Sequence, residues 1–147
     1  MTTATATATP TESRPKASAL PLPSSLKTAA SEAAGRGQPL VVMTTLDGCP
    51  YCEVVRNNYL LPMLRAGEIE AVQIDVLDKR RNLQNFEGEL VSPADQARAW
   101  KARFTPTVLF FDAQGREVAE RLVGLGLPDF YGAYLDARLK EARARLR

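Results

Sequence analysis

Histidine is missing from this 147-residue chain, and cysteine occurs only twice. The first absence removes the commonest metal ligand and the commonest general base at neutral pH, so zinc, haem and Ser-His chemistry are not expected. Two thiols are also too few for a secreted disulfide scaffold, or for structural zinc with its about four ligands. No apolar run reaches the roughly 18 residues of a membrane span, and no basic region followed by an apolar block marks a secretory signal in the sequence as given. Charge of one sign is lacking as well. Nineteen Lys and Arg stand against 17 Asp and Glu, a net charge of +2, which excludes a nucleic-acid binder of the basic-patch kind. The length supports one domain with its own core.

What the chain does have is Cys49-Pro50-Tyr51-Cys52, which holds both cysteines at a boundary between strand-like and helix-like sequence. Two thiols at this spacing close a small ring across a first helical turn. Cys49, at the helix end, is then the attacking thiol and Cys52 the resolving one. Redox chemistry is the preferred reading, with a metal half-site or an inert buried pair as the alternatives.

The rest of the chain arranges itself around that motif. Residues 1–23, rich in Thr, Ala, Pro and Ser, have too little apolar surface to offset ordering and read as a disordered tether, leaving 24–147 as the domain. Ser24 or Ser25 caps a first helix that ends before Gly35 and Gly37. Residues 40–46 are apolar and β-branched, as in a buried central strand. A helix from Pro50, kinked at Pro62, leads to an alternating strand over 69–77. Strand, helix, strand implies a parallel right-handed crossover. Residues 78–91 fit a small hairpin or loop insertion, with Lys79-Arg80-Arg81 as a solvated turn. Ser92-Pro93 starts a helix whose apolar stripe is Ala97, Trp100 and Phe104. Thr105-Pro106-Thr107 opens a buried strand over 108–112, residues 112–115 turn, and residues 116–123 return antiparallel. Leu127-Pro128-Asp129 begins a last helix with Tyr131, Leu135, Leu139, Ala142 and Leu146 at helical spacing.

These residues together resemble the thioredoxin superfamily over about 24–139: CxxC opening a kinked helix, Thr-Pro-Thr some fifty residues later, then a Phe-Phe-Asp-x-x-Gly hairpin. The resemblance implies an α/β thioredoxin fold, with a mixed four-stranded central sheet flanked by helices and a small insertion after the second strand. It also implies a cis Pro106 facing Cys49, a Thr105 backbone open to an extended substrate, and a Gly124 that lets substrate approach the sulfurs. Pro50, Tyr51, Thr105, Pro106 and Gly124 are thus the expected substrate-binding residues, with Cys49 and Cys52 catalytic and no metal or cofactor. Pro-Tyr between the cysteines is similar to glutaredoxins, but Gly124-Leu125-Gly126-Leu127 lacks their Gly-Gly-Asp. The insertion and the Asp47-Gly48 context look more like the exported SoxW-like proteins.

The expected activity is thiol–disulfide exchange with protein substrates, more in the reducing direction, recharged by an upstream redox partner. A glutathione-dependent glutaredoxin and a redox-switch or metal-carrier module are the alternatives. A monomer in the periplasm is expected, with the cytoplasm as the other compartment. Aligned on the cysteines, Met43 stands where thioredoxins have a buried aspartate, Ala71 replaces its lysine partner, and Gly48 replaces a tryptophan. Asp47 or Glu53 is left to carry a proton through water. With no basic side chain between the cysteines, the Cys49 thiol is expected to fall from about 8.5 only to a neutral or mildly acidic pKa.

Overall fold

A computed structural model describes residues 19–146. Its elements in chain order are α1 (Leu26–Gly35), β1 (Leu40–Thr45), α2 (Pro50–Val55), a π-helical segment (Arg56–Leu60), α3 (Leu61–Arg65), β2 (Glu70–Asp75), β3 (Leu83–Gln84), β4 (Leu90–Val91), α4 (Pro93–Ala99), β5 (Thr107–Phe111), β6 (Leu122–Val123) and α5 (Pro128–Arg145). β1 is buried along its whole length, as its unbroken apolar and β-branched run requires. The main sheet has the order β2-β1-β5-β6. β1 runs parallel to β2, with Val42 opposite Val72, and antiparallel to β5, with Val42 opposite Leu109. This is the mixed four-stranded α/β sheet of the thioredoxin fold.

Side-chain alternation divides the core between the two faces of the sheet. Val41, Met43, Val108 and Phe110 pack on one face with Cys52, Val55 and the Tyr131, Leu135 and Leu139 stripe of α5. Leu40, Val42, Leu109 and Phe111 pack on the other with Leu26, Ala30 and Ala33 of α1. The Ser25 hydroxyl caps α1 by accepting the Thr28 N–H at 3.0 Å. The expected insertion is the β3–β4 hairpin, pinned to the start of α1 by the Gln84 N–H donating to the Ser24 carbonyl at 2.9 Å. Lys79, Arg80 and Arg81 lie exposed in the preceding turn, as anticipated.

Pro62, where a kink is expected, is preceded by the π-helical segment Arg56–Leu60. Proline has no N–H to offer the carbonyl four residues back, and the helix widens so that the Leu61 N–H donates to the Arg56 carbonyl five residues away.

Three expectations need correction. A tether is expected over 1–23, of which residues 1–18 lie outside the described residues. Leu20 is buried, and the Pro21 carbonyl accepts the Gln73 N–H of β2 at 2.9 Å, so the folded part begins before residue 24. Leu20, in the apolar run Ala19-Leu20-Pro21-Leu22, joins the cluster that holds Val41, Met43 and Cys52, while Leu22 stays exposed.

Phe104 does not continue the apolar stripe of α4. That helix ends at Ala99, Lys101 takes a left-handed φ of 56°, and the Ala102 N–H returns to the Ala97 carbonyl, leaving Phe104 exposed. Trp100 does pack inward, its ring 4.8 Å from that of Phe111.

The return strand over 116–123 is interrupted. Glu117 bridges to Phe111 and Leu122 pairs with Val108, so four residues on the returning side face two on β5, a bulge of two. Val118 and Ala119 turn into the core there, and the Arg121 guanidinium donates to the Trp100 carbonyl at 2.7 Å. At the hairpin turn, burial alone would raise the Asp112 carboxyl. Hydrogen bonds from the Arg116 N–H and guanidinium and from the Gln114 N–H outweigh it and hold the group below its ordinary pKa.

Candidate active site

β1 delivers the chain to a tight turn in which Gly48 takes a φ of +78° and the Cys49 N–H donates to the Leu46 carbonyl at 3.2 Å. A side chain at 48 is strained in that left-handed conformation, which accounts locally for glycine where the resembling family has tryptophan. Cys49 then caps α2, and Pro50 occupies the first helical turn, where its missing N–H costs nothing. Cys49 and Cys52 are joined as a disulfide with their Cα atoms 5.2 Å apart.

The two sulfurs sit in different surroundings. Cys52 is buried in the core, whereas Cys49 is only half-buried. The Cys49 sulfur accepts the Cys52 N–H at 3.2 Å and the Thr105 hydroxyl at 3.6 Å. After reduction, both donors and the positive end of the helical run over 50–65 favour a thiolate at Cys49 over one at Cys52. The accessible, stabilised sulfur is the one that can attack from outside.

Thr105 reaches Cys49 because β5 is held in register with β1. Thr44 lies opposite Thr107, and its hydroxyl accepts the Thr107 N–H at 3.0 Å. The Thr105–Pro106 peptide is cis, Pro106 is buried, and its carbonyl accepts the Gly124 N–H at 2.7 Å. Gly124 holds a φ of +74°. Cys49, Thr105, Pro106 and Gly124 are thereby linked in one contiguous chain of contacts. Neither the N–H nor the carbonyl of Thr105 has a partner among the described residues. Tyr51 is 61% exposed and Pro50 is exposed beside it, so both face outward from the disulfide.

Met43 and Ala71 are buried in the same apolar cluster as Cys52. Among the described residues the one buried carboxylate is Asp112, which lies in the hairpin turn after β5. A cavity of about 380 Å³ opens on the other side of Cys49, lined by Asp47, Glu53, Arg56, Gln73 and Asp75 among others. Arg56 donates there to the Thr45 hydroxyl and to the Gln73 amide oxygen, both at 3.5 Å.

Sequence reasoning missed three features here. Thr105 is expected for its backbone and not its hydroxyl, Arg56 is not among the expected site residues, and Phe104 is expected on the apolar stripe of a helix. Thr105 and Arg56 carried no local signal, since their contacts depend on which strands become neighbours.

Among the described residues, no helix is long and apolar enough to cross a membrane. Residues 26–138 match the thioredoxin-like domain family. The structure is similar to a thioredoxin h of poplar at 20% identity and a TM-score of 0.52, over 75% of this chain and 85% of that one. It is similar to the oxidised mitochondrial thioredoxin 3 of Saccharomyces cerevisiae at 15% identity and a TM-score of 0.53, over 83% and 94% of the two chains. The thioredoxin of Fasciola hepatica matches at 16% identity and a TM-score of 0.52, over 87% of this chain and all of that one. At these identities the structural likenesses show the fold alone. With the family match across most of its length and a disulfide between Cys49 and Cys52 at the head of α2, the chain belongs to the thioredoxin-like domain family and is a thiol–disulfide oxidoreductase.

Proposed function

We propose that the protein exchanges disulfides with protein substrates, in the reducing direction, as a monomeric member of the exported SoxW-like branch. The observation that carries the reading is Cys49 itself, a half-exposed sulfur with two hydrogen-bond donors, beside a Thr105 backbone that has no partner among the described residues. The β3–β4 insertion and the Asp47-Gly48 turn support the branch, and the branch supports the periplasm over the cytoplasm as the compartment.

In the reducing direction the Cys49 thiolate attacks one sulfur of the substrate disulfide and expels the other as a thiolate. Cys52, once deprotonated, attacks the Cys49 sulfur of this mixed disulfide and expels the second substrate thiolate. Two electrons have then passed to the substrate, and an upstream dithiol must return two. An extended substrate pairs with the N–H and carbonyl of Thr105, as strand addition does at a sheet edge. Pro50, Tyr51, Pro106 and Gly124 complete its footing. With Met43 in place of a buried carboxylate, the Cys52 proton leaves by way of cavity water and Asp47 or Glu53. The site's potential should lie between about −270 mV and about −120 mV, the values of thioredoxin and of the strong oxidant DsbA.

Cys52→Ser should trap mixed disulfides through Cys49, seen as non-reducing gel bands that dithiothreitol removes. No trapped protein, together with no turnover of a model protein disulfide, would sink the proposal. Turnover sustained by glutathione alone would favour the glutaredoxin reading instead.

A further inference from the structure

Phe104, like Tyr51, is a large side chain near the disulfide that the fold leaves exposed. It is 65% exposed, although it directly precedes Thr105. Its backbone is fixed, because its carbonyl accepts the hydroxyls of Thr107 at 2.5 Å and Thr44 at 3.4 Å. The ring is placed as well: a Cβ added at Gly124 would stand 3.3 Å from Phe104 Cε2. Val123, next to Gly124 and paired with Thr107, is 58% exposed. Phe104 beside Gly124, with the exposed Val123 next in sequence, therefore offers an apolar shelf at the Thr105–Pro106 segment, whose Thr105 hydroxyl reaches Cys49.

We propose that Phe104 is a specificity-determining residue, and that the shelf takes a bulky apolar side chain flanking the cysteine of an extended, disulfide-bonded substrate polypeptide. The inference rests on the oxidoreductase reading above and adds to it a substrate sequence preference. The occupant follows from the backbone beside the shelf. Thr105 offers one N–H and one carbonyl to an extended chain, and side chains of such a chain alternate in direction, so one of them is laid over the adjacent ring. Lys101 and Arg103, both exposed and flanking Phe104 in sequence, disfavour a basic side chain at the same place.

The test uses the full-length protein and peptides that carry an intermolecular disulfide, with Leu, Ser or Lys placed in turn at each of the two positions on either side of the cysteine. The measured quantity is kcat/KM for each peptide, with dithiothreitol recharging the enzyme. The expected result is an order Leu, Ser, Lys at one of these positions, Leu exceeding Ser by about tenfold. Phe104→Ala should bring that ratio below about twofold, and Phe104→Leu should restore most of it. A wild-type enzyme that turns over all peptides without preference, or an unchanged ratio in Phe104→Ala, overturns the shelf while leaving the oxidoreductase reading intact. No turnover of any peptide overturns that reading, and the shelf with it.

Discussion

Thr105 shows how much of this chemistry rests on single atoms. Its hydroxyl lies 3.6 Å from the Cys49 sulfur, and a thiolate gains more from such a donor than a neutral sulfur does. Thr105→Val keeps the shape and removes the donor, so alkylation of reduced Cys49 by iodoacetamide at pH 7 should slow by about fivefold. An unchanged rate would leave the hydroxyl without influence on the thiolate. Tyr131 is the opposite case. Its hydroxyl is buried without a partner among the described residues, and desolvation, followed by the neighbouring Tyr59, pushes its pKa up. The ring packs 5.1 Å from that of Tyr59 and belongs there, but the oxygen loses its hydration for nothing. Tyr131→Phe should therefore stabilise the fold by about 1 kcal/mol in urea unfolding, and a destabilised variant would reveal a partner for that oxygen.

Among the elements, those with a strong local pattern were readable. The cysteine motif, the Ser25 cap, the buried β1 and the proline at the head of α5 each announce themselves within a few residues. The end of α4 does not. Its left-handed residue is Lys101, where glycine is the usual marker, so the helical period runs on to Phe104 with nothing to stop it. The return strand failed for a related reason, since a bulge that turns Val118 and Ala119 inward preserves apolar residues while breaking the ladder. The β5 turn and the insertion meet at Gly115, which holds a φ of +85°. A Cβ there would lie 2.5 Å from Phe86 Cγ, and Phe86 in turn packs on Phe111 and Trp100. Gly115→Ala should cost about 2–4 kcal/mol of stability by thermal or urea unfolding, because it combines backbone strain with displacement of an aromatic cluster. A loss below about 1 kcal/mol would mean the hairpin can move away from the turn.

At the scale of the whole molecule, the sheet separates the redox pair's apolar cluster from the cluster built by α1, and the site lies where β1 ends and β5 begins. That meeting was foreseeable only through family resemblance, because no local pattern says which strands are neighbours. The segment before α1 was the least readable, since two leucines interleaved with prolines, Leu20-Pro21-Leu22-Pro23, are too short a run to mark a folded element. Leu20→Ala should nonetheless lower stability by about 2–4 kcal/mol in urea unfolding, as expected for a leucine buried to 2% exposure. A loss of a few tenths would show the contact to be superficial. The bond from Gln73 to Pro21 has a further effect on association between chains. It occupies the middle of the outer edge of β2, where a stray strand would otherwise find a template. The chain's own leading segment thus competes at Gln73 with any strand that would pair along β2.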